Sequence, residues 1–289
     1  MQGDTLKADP PAAARRPTAL HWLQAMRAIV LREVLKFSQQ TGRLVSALVR
    51  PLLWLAVFAA GFRNVFGVAI VEPYDTYIPY DVYIAPGLIG MVLLFNGMQS
   101  SLAMVYDREM GLMRLLLTAP LPRAWLLFCK LAATALLSVL QAIAFVAVAM
   151  LLGTELPVFS PTLVHALVAL LAGALMLGAL GLVLSVYVKQ LENFAGTMNF
   201  VIFPMYFMST ALYPLWKLQE SGAEWVYQLA RFNPFTHAVE WMRFALYGKD
   251  PGLAPWVVLG CLLVFFTVAC WGYDPQRGFG GLTKRGGGA

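Results

Sequence analysis

Residues 82–106 read VYIAPGLIGMVLLFNGMQSSLAMVY, and residues 107–111, which follow directly, read DREMG. The first stretch contains no charged side chain. A helix that crosses the hydrocarbon of a bilayer needs about 20 apolar residues, so this stretch is long enough. Charged groups are costly in lipid, and the segment after it carries three. We therefore predict a membrane-spanning helix that ends in water at Asp107.

Five more runs of similar size, uncharged except for Arg63 in the first, predict five further spans. The whole chain is 60% hydrophobic and 12% charged, about half the charged share of a soluble domain. The runs lack the period-two alternation of barrel strands, and backbone groups in lipid must be satisfied within each segment. We therefore predict an all-α integral membrane protein with six spans: residues 51–71, 82–106, 131–153, 156–188, 193–216 and 251–273.

The distribution of Lys and Arg predicts which ends of the spans face the cytosol. Residues 1–50, 106–130, 186–195 and 274–289 contain 16 basic and 7 acidic residues, whereas the other loops contain 5 and 8. Cytosolic loops carry the basic excess, so both termini and the Asp107 segment are predicted to be cytosolic. Topology and anionic membrane lipids then account for the net charge of +6, and no nucleic-acid partner is expected.

The sequence divides into three regions. Residues 1–43 are predicted to form a cytosolic tail and an amphipathic interfacial helix, and residues 44–273 the six-span domain. Residues 274–289 are Gly-rich and are predicted to be a flexible cytosolic tail. The interfacial helix is indicated by apolar residues at helical spacing, namely Leu23, Met26, Val30, Val34 and Phe37.

Uncharged polar residues within the spans are the candidates for a substrate path. Asn96, Gln99 and Ser100 fall within one turn of the second span, and Asn199 lies in the fifth. They either line a path for a polar or amphiphilic substrate or form hydrogen bonds between helices. Arg50 is predicted to lie near one end of the first span. Since no span centre then carries an ionisable group for ion coupling, energy is expected to come from a partner.

The segment between the second and third spans is the expected contact for that partner. Residues 107–118 are predicted to form a short amphipathic helix that Pro120 and Pro122 stop. Asp107 and Glu109 would lie near its start, where the helix dipole favours acidic groups. Such a helix would let a soluble protein push on two spans together.

This segment resembles the cytosolic motif of the permease subunits of type-2 ATP-binding-cassette exporters. A second stretch, Asn233 to Thr236 followed by Arg243, is similar to the N-P-x-T motif and later arginine that precede the last span in that family. The likeness covers about residues 20–273, and the chain looks nearest to permeases that accompany quinoprotein alcohol-oxidation systems. The first motif, R-E-x-G-x-x-x-x-L-L-x-x-P-L-x-R, is matched by Arg108, Glu109, Gly111, Leu116, Leu117, Pro120, Leu121 and Arg123.

The resemblance implies a permease of the bacterial inner membrane that exports a substrate. It would pair with a second permease copy, most simply as a homodimer, and with two copies of a separate ATPase subunit. Residues 216–252 would form short external or re-entrant helices that carry Asn233, Pro234, Phe235 and Arg243. Asn233 and Pro234 would end one such helix and begin the next. The coupling residues would be Asp107, Arg108, Glu109, Gly111, Arg114, Pro120 and Arg123.

The resemblance also implies that the ATPase subunit binds ATP and Mg²⁺, so this chain is expected to need no cofactor or metal and to be no enzyme. The sequence contains no HExxH, GxSxG or GxxxxGK[ST] motif, which disfavours a membrane-embedded hydrolase. A non-transporting anchor that recruits a soluble protein through the same segment remains the alternative. A co-purifying ATPase would separate the two.

Overall fold

Helices make up nearly all of the described chain in a computed structural model, which describes residues 19–39, 41–62, 72–76, 78–111, 122–157, 161–188, 190–220 and 222–273. Within these ranges no β-strand forms, and the all-α prediction is confirmed. The ten helices described are α1 (Ala19–Ser38), α2 (Thr41–Phe62), α3 (Tyr80–Glu109), α4 (Arg123–Leu151), α5 (Leu163–Tyr187), α6 (Leu191–Phe207), α7 (Leu215–Glu220), α8 (Glu224–Phe232), α9 (Pro234–Leu246) and α10 (Ala254–Gly272).

Four of these helices, α3, α4, α5 and α10, are long and apolar enough to cross a membrane. They correspond to the second, third, fourth and sixth predicted spans. The first and fifth predicted spans fall on α2 and α6, whose apolar lengths are smaller: α2 has the stretch Leu48–Phe58, and α6 has 17 residues. The described residues thus support four spans by length and composition, and the count of six stays a prediction.

Helix α2 begins at Thr41, and Pro51 lies inside it. The sequence placed the start of the first span at Pro51, where the predicted apolar run begins. The helix continues through this point, and the side chains of Pro51 and Leu55 are buried. Arg50 is therefore inside the helix and near the start of its apolar stretch Leu48–Phe58, and its place near one end of a span stays a prediction. Arg63 lies outside the described residues.

Helix α5 is the centre of the bundle and packs against α3, α4, α9 and α10. Its crossing with α3 is made by glycines. A methyl group on Gly97 would lie 3.2 Å from Cα of Gly178, and one on Gly181 would lie 2.8 Å from the carbonyl oxygen of Gly97. Small residues allow such close approach of two helix backbones. Gly178 and Gly181 of α5 are therefore used for packing within the subunit.

Helix α1 packs mainly against α4 and contacts α2. The rings of Trp22 and Trp125 lie edge to face at 5.1 Å between centroids, and Phe37 is buried. The amphipathic helix predicted for this region is present. Its apolar face is only partly covered, however, because Leu23 and Leu31 are exposed. A position along the inner leaflet stays a prediction.

Three short helices, α7, α8 and α9, fill most of the stretch between α6 and α10, where short helices were predicted. Helix α9 belongs to the core, since it packs on α3, α5 and α10 and buries Phe235, Val239 and Met242. Helix α8 leaves Trp225 and Phe232 exposed. The external location of these helices stays a prediction.

The glycine crossing predicts an overpacking defect. Gly181→Ala should lower the free energy of unfolding by about 1–3 kcal/mol, because the added methyl group forces the α3 and α5 backbones apart. Gly260→Ala in α10 is the matched control, since its methyl group would meet no described atom within 4 Å. Thermal melting of the purified protein in detergent compares the two. Equal melting temperatures would contradict the close crossing.

Candidate functional site

The carboxylate of Asp107 is buried near the C-terminal end of α3 and is surrounded by three cations. It lies 3.1 Å from Lys36 Nζ, 3.5 Å from Arg32 Nη2 and 3.4 Å from Lys130 Nζ. Only 1% of its side chain is exposed. A buried charge requires such pairing, because its desolvation is otherwise uncompensated. Asp107 thereby joins α1, α3 and α4.

Asp107 and Glu109 lie in the last turn of α3, which continues to Glu109. Their predicted position near a helix start is therefore wrong, and the dipole of α3 disfavours acidic groups there. The three cations compensate Asp107. Glu109 is compensated by a different helix, because the backbone N–H of Leu191 donates to its Oε1 at 2.9 Å. Leu191 is the first residue of α6, where the dipole favours an acidic group.

Arg108 binds the neighbouring helix end. Its Nη1 donates to the carbonyl oxygen of Ser185 and its Nη2 to that of Val188, both at 2.9 Å. These carbonyls end α5, where backbone acceptors have no partner within the helix. Arg108 and Glu109 thus hold the two sides of the α5–α6 turn. The end of α3 is fixed to the end of α5 and the start of α6.

The other predicted coupling residues are placed only in part. Gly111 has a φ of +73°, a conformation that glycine tolerates and that commonly ends helices. Arg123 begins α4 with an exposed side chain. Arg114 and Pro120 lie outside the described residues. Arg32 and Lys36 were missed as partners of Asp107, although their i, i+4 spacing places them on one face of α1.

At the opposite end of α3, the buried Arg243 of α9 joins several elements. Its Nη1 donates to Glu240 Oε1 at 2.5 Å, and its Nη2 donates to the carbonyl oxygen of Thr210 at 2.9 Å. The guanidinium also lies 4.2 Å from the centroid of the Tyr83 ring. Burial lowers the pKa of Arg243, but the Glu240 carboxylate and nearby tyrosines raise it further, to above its ordinary value. The group stays charged.

Asn233 separates α8 from α9 and also binds the end of α6. Its Oδ1 accepts from the N–H of Phe235 at 3.0 Å, which caps α9. Its Nδ2 donates to the carbonyl oxygens of Met205 and Met208 at 2.7 and 2.8 Å. Pro234 occupies the first position of α9, where proline is favoured. The prediction that Asn233 and Pro234 end one helix and begin the next is confirmed.

Phe235, the third residue of this motif, is fully buried. Its ring lies 6.0 Å from that of Tyr206 between centroids, and a methyl group on Gly90 would come within 2.9 Å of it. Phe235 therefore wedges α9 against α3 and α6. Together with Arg243 and Asn233 it fixes the segment that follows α6.

The four predicted path residues differ in their surroundings. Asn96 is buried, and its Nδ2 donates to Ser138 Oγ of α4 at 2.7 Å. Asn96 and Gln99 line one pocket, whereas Ser100 lines another beside Asp107 and Lys130. Asn199 is exposed on α6. Asn96 therefore forms a hydrogen bond between helices through its Nδ2, and its role in lining a substrate path stays a prediction.

Arg50 belongs to the first of these pockets, and the sequence did not predict this. Its guanidinium carbon lies 3.9 Å from the centroid of the Phe95 ring. Phe95 and Asn96 are near the middle of α3, with Asn96 roughly 20 Å from Tyr83 and roughly 16 Å from Asp107 along the axis. An arginine at mid-bilayer costs on the order of 3 kcal/mol or more. Arg50 thus reaches a ring near the middle of α3, and the expectation that no span centre carries an ionisable group stays a prediction.

These features define the class of the protein: a membrane protein of long apolar helices, held by polar clusters at both ends of α3. Residues 24–247 match the family of ABC-2 type transporters, and that range includes both clusters. The chain belongs to this family and is a membrane permease.

Relatives named as permeases align over most of the chain. The transport permease ycf38 of Porphyra purpurea is 30% identical over 79% of this chain and 76% of its own length. The inner membrane transport permease YadH of Escherichia coli K12 is 24% identical over 90% and 98%. The daunorubicin resistance ABC transporter permease protein DrrB1 of Streptomyces coeruleorubidus is 22% identical over 88% and 87%.

The Asp107 cluster predicts a loss of stability when the carboxylate is neutralised. Asp107→Asn leaves three cations close together and should lower the free energy of unfolding by up to about 3 kcal/mol. Adding Lys130→Met should restore part of it, because Lys130 is the least exposed of the three cations. Asp75→Asn is the control, since its pair with Lys249 is exposed and contributes little. Melting temperatures that fall equally for Asp75→Asn and Asp107→Asn would refute the cluster.

The Asn233 contacts predict that aspartate is a poor replacement. Asp keeps the acceptor that caps α9, but it loses both donors and faces two carbonyl oxygens with a negative charge. Asn233→Asp should therefore melt at or below the temperature of Asn233→Ala. If Asn233 served only as a helix cap, Asp would retain that function. A wild-type melting temperature for Asn233→Asp would therefore exclude a stabilising role of the α6 contacts. Asn193→Asp, at an exposed amide of α6, is the control.

Proposed function

We propose that this chain is the permease subunit of an ATP-driven exporter in the bacterial cytoplasmic membrane. It works as a homodimer with two copies of a separate ATPase subunit, which binds ATP and Mg²⁺ and hydrolyses the nucleotide. The family match supports this proposal, and so do relatives whose names include a drug-resistance permease and an inner-membrane permease. The excess of basic residues supports cytosolic termini and a cytosolic Asp107 segment.

The observation that carries the mechanism is the pair of contacts made by Arg108 and Glu109. They fix the end of α3 to the end of α5 and to the start of α6. An ATPase subunit that binds residues 107–118 and moves them displaces these three helix ends together. Asp107 adds α1 and α4 to the same unit. Five helices then respond to one movement, as alternating access requires.

Docking alone does not drive such a change. A partner shifts an equilibrium between two conformations only when it binds one of them more tightly. The ATPase dimer must therefore bind the segment around Arg108 and Glu109 differently when it is closed on ATP. The family resemblance assigns Arg114, Pro120 and Arg123 to the same docking surface, and Pro120 and Arg123 belong to the motif itself. The association with quinoprotein alcohol oxidation stays a prediction that no relative supports.

Purification of the tagged full chain from its native membrane tests the proposal. An ATP-binding-cassette ATPase should co-purify in about equal amount, and ATP should change the labelling rate of a cysteine introduced by Asn199→Cys in a background without native cysteines. Arg108→Gln removes both carbonyl contacts and should reduce this response several-fold while ATP hydrolysis persists. Lys249→Gln, at the other end of the bundle, should leave it unchanged.

Two results would contradict the mechanism. A full response to ATP in the Arg108→Gln complex would show that these contacts do not transmit the movement. A stable soluble partner without ATPase activity would favour the alternative of a membrane anchor that does not transport.

A further inference from the structure

Arg50 differs from Lys130 and Arg243, two other cations between the helices, because no described carboxylate pairs with it. Lys130 lies 3.4 Å from Asp107, and Arg243 lies 2.5 Å from Glu240. Among the described residues, Arg50 has no ion pair, and its neighbour is the ring of Phe95. A cation at mid-height between membrane helices is costly and is kept where it serves a function.

The contact with Phe95 holds Arg50 in place without occupying its donors. A cation above an aromatic ring is attracted through its charge, and this contact leaves the five N–H groups of a guanidinium free to donate. Those groups can bind two oxygens of a phosphate or carboxylate side by side. The side chain is half-buried, so that a ligand can reach it. Arg50 thus has donors for an oxyanion that the described residues do not supply.

The rest of the pocket defines what accompanies the oxyanion. Asn96 lines the same pocket and is 2% exposed, and its Oδ1 has no hydrogen-bond partner in the described part of the chain. A buried acceptor without a partner favours a ligand that brings a donor, such as a hydroxyl group. The remaining lining is mostly apolar, with Pro51, Met91, Val92 and Phe95.

We propose that the pocket between α2 and α3 binds the anionic, hydroxyl-bearing headgroup of an amphiphile. Arg50 holds the phosphate or carboxylate, Asn96 Oδ1 accepts from a headgroup hydroxyl, and the apolar residues contact the adjoining chain. This inference rests on the proposed function. The exported substrate is then an acidic amphiphile and not a resident lipid of the bilayer. The binding itself requires neither ATP nor the ATPase.

Equilibrium binding to the full chain in nanodiscs of phosphatidylcholine tests the site. Lauroyl lysophosphatidylglycerol has an acidic headgroup with hydroxyls and should bind at least about tenfold more tightly than lauroyl lysophosphatidylcholine, whose headgroup has no net charge. Glycerol phosphate, which lacks the chain, should not compete at the same concentration. Equal binding of the two lysolipids would overturn the anion site, and full competition by glycerol phosphate would overturn the amphiphile.

Variants connect the preference to the two residues. Arg50→Gln should abolish the preference for the acidic lysolipid, and Arg50→Lys should keep part of it, because lysine retains the charge without the planar fork. Asn96→Leu should weaken binding of lysophosphatidylglycerol. Arg27→Gln, at an exposed arginine of α1, is the control and should bind as the wild type does. A wild-type preference in Arg50→Gln would refute the assignment.

Melting temperature separates a ligand-binding arginine from a structural one. If Arg50 only packed against Phe95, Arg50→Gln would lower the melting temperature. Removal of a costly cation kept for a ligand should leave it unchanged or raise it. A clear decrease in melting temperature without a change in lysolipid preference would identify a packing role and overturn the proposal.

Two further experiments distinguish the source of the ligand and test whether its binding depends on the exporter. Nanodiscs that contain phosphatidylglycerol should not displace the lysolipid, whereas complete displacement would identify a resident membrane lipid and overturn the substrate class. Lysolipid preference without a co-purifying ATPase would remove the export proposal and keep the site. ATP-dependent movement without lysolipid preference would remove the site and keep the export proposal.

Discussion

A charge inside an apolar helical bundle has to be paired within the protein, and α3 is organised by this requirement at both ends. Asp107 is surrounded by cations of α1 and α4, and Arg243 of α9 lies against Tyr83 and pairs with Glu240. The two clusters are about 36 Å apart along the helix. Because each unpaired charge would be costly to bury, the helix ends cannot separate from these partners without a large loss of stability.

Between the two clusters, α3 and α5 meet through glycines, and this contact makes them one mechanical unit. Backbones as close as those of Gly97 and Gly181, with the Ser101 hydroxyl beside them, leave little space in which side chains could adjust. In the proposed mechanism, a movement of Arg108 and Glu109 is therefore transmitted along α3 and α5 to the opposite end of the bundle. There Asn233 and Arg243 bind carbonyls at the end of α6 and just after it. The same helices thus meet polar contacts at both ends of the bundle.

Features that depend on local sequence were predictable, and features that depend on tertiary contacts were not. Four spans follow from length and hydropathy, and Asn233 with Pro234 sets a helix boundary by its own chemistry. Hydropathy does not show where the backbone hydrogen bonds of a helix end. Helix α3 continues beyond its apolar stretch, and Asp107 therefore lies in its last turn. Likewise the predicted apolar run begins at Pro51, whereas the helix that contains it begins at Thr41. The partners of Asp107 come from distant segments, which no local pattern connects.

Arg50 is the exception to the pairing rule, and its surroundings give a physical reason for the exception. A carboxylate beside it would lower the cost of burial, but it would compete with any anionic ligand for the same N–H groups. The ring of Phe95 attracts the guanidinium through its charge and leaves those groups available. A transport site must also release what it binds. Because no described carboxylate takes the place of the ligand on Arg50, this interaction forms when the ligand enters and is lost when the ligand leaves. The unpaired Arg50 therefore makes anion binding depend on access to the pocket, which movement of α2 against α3 can change.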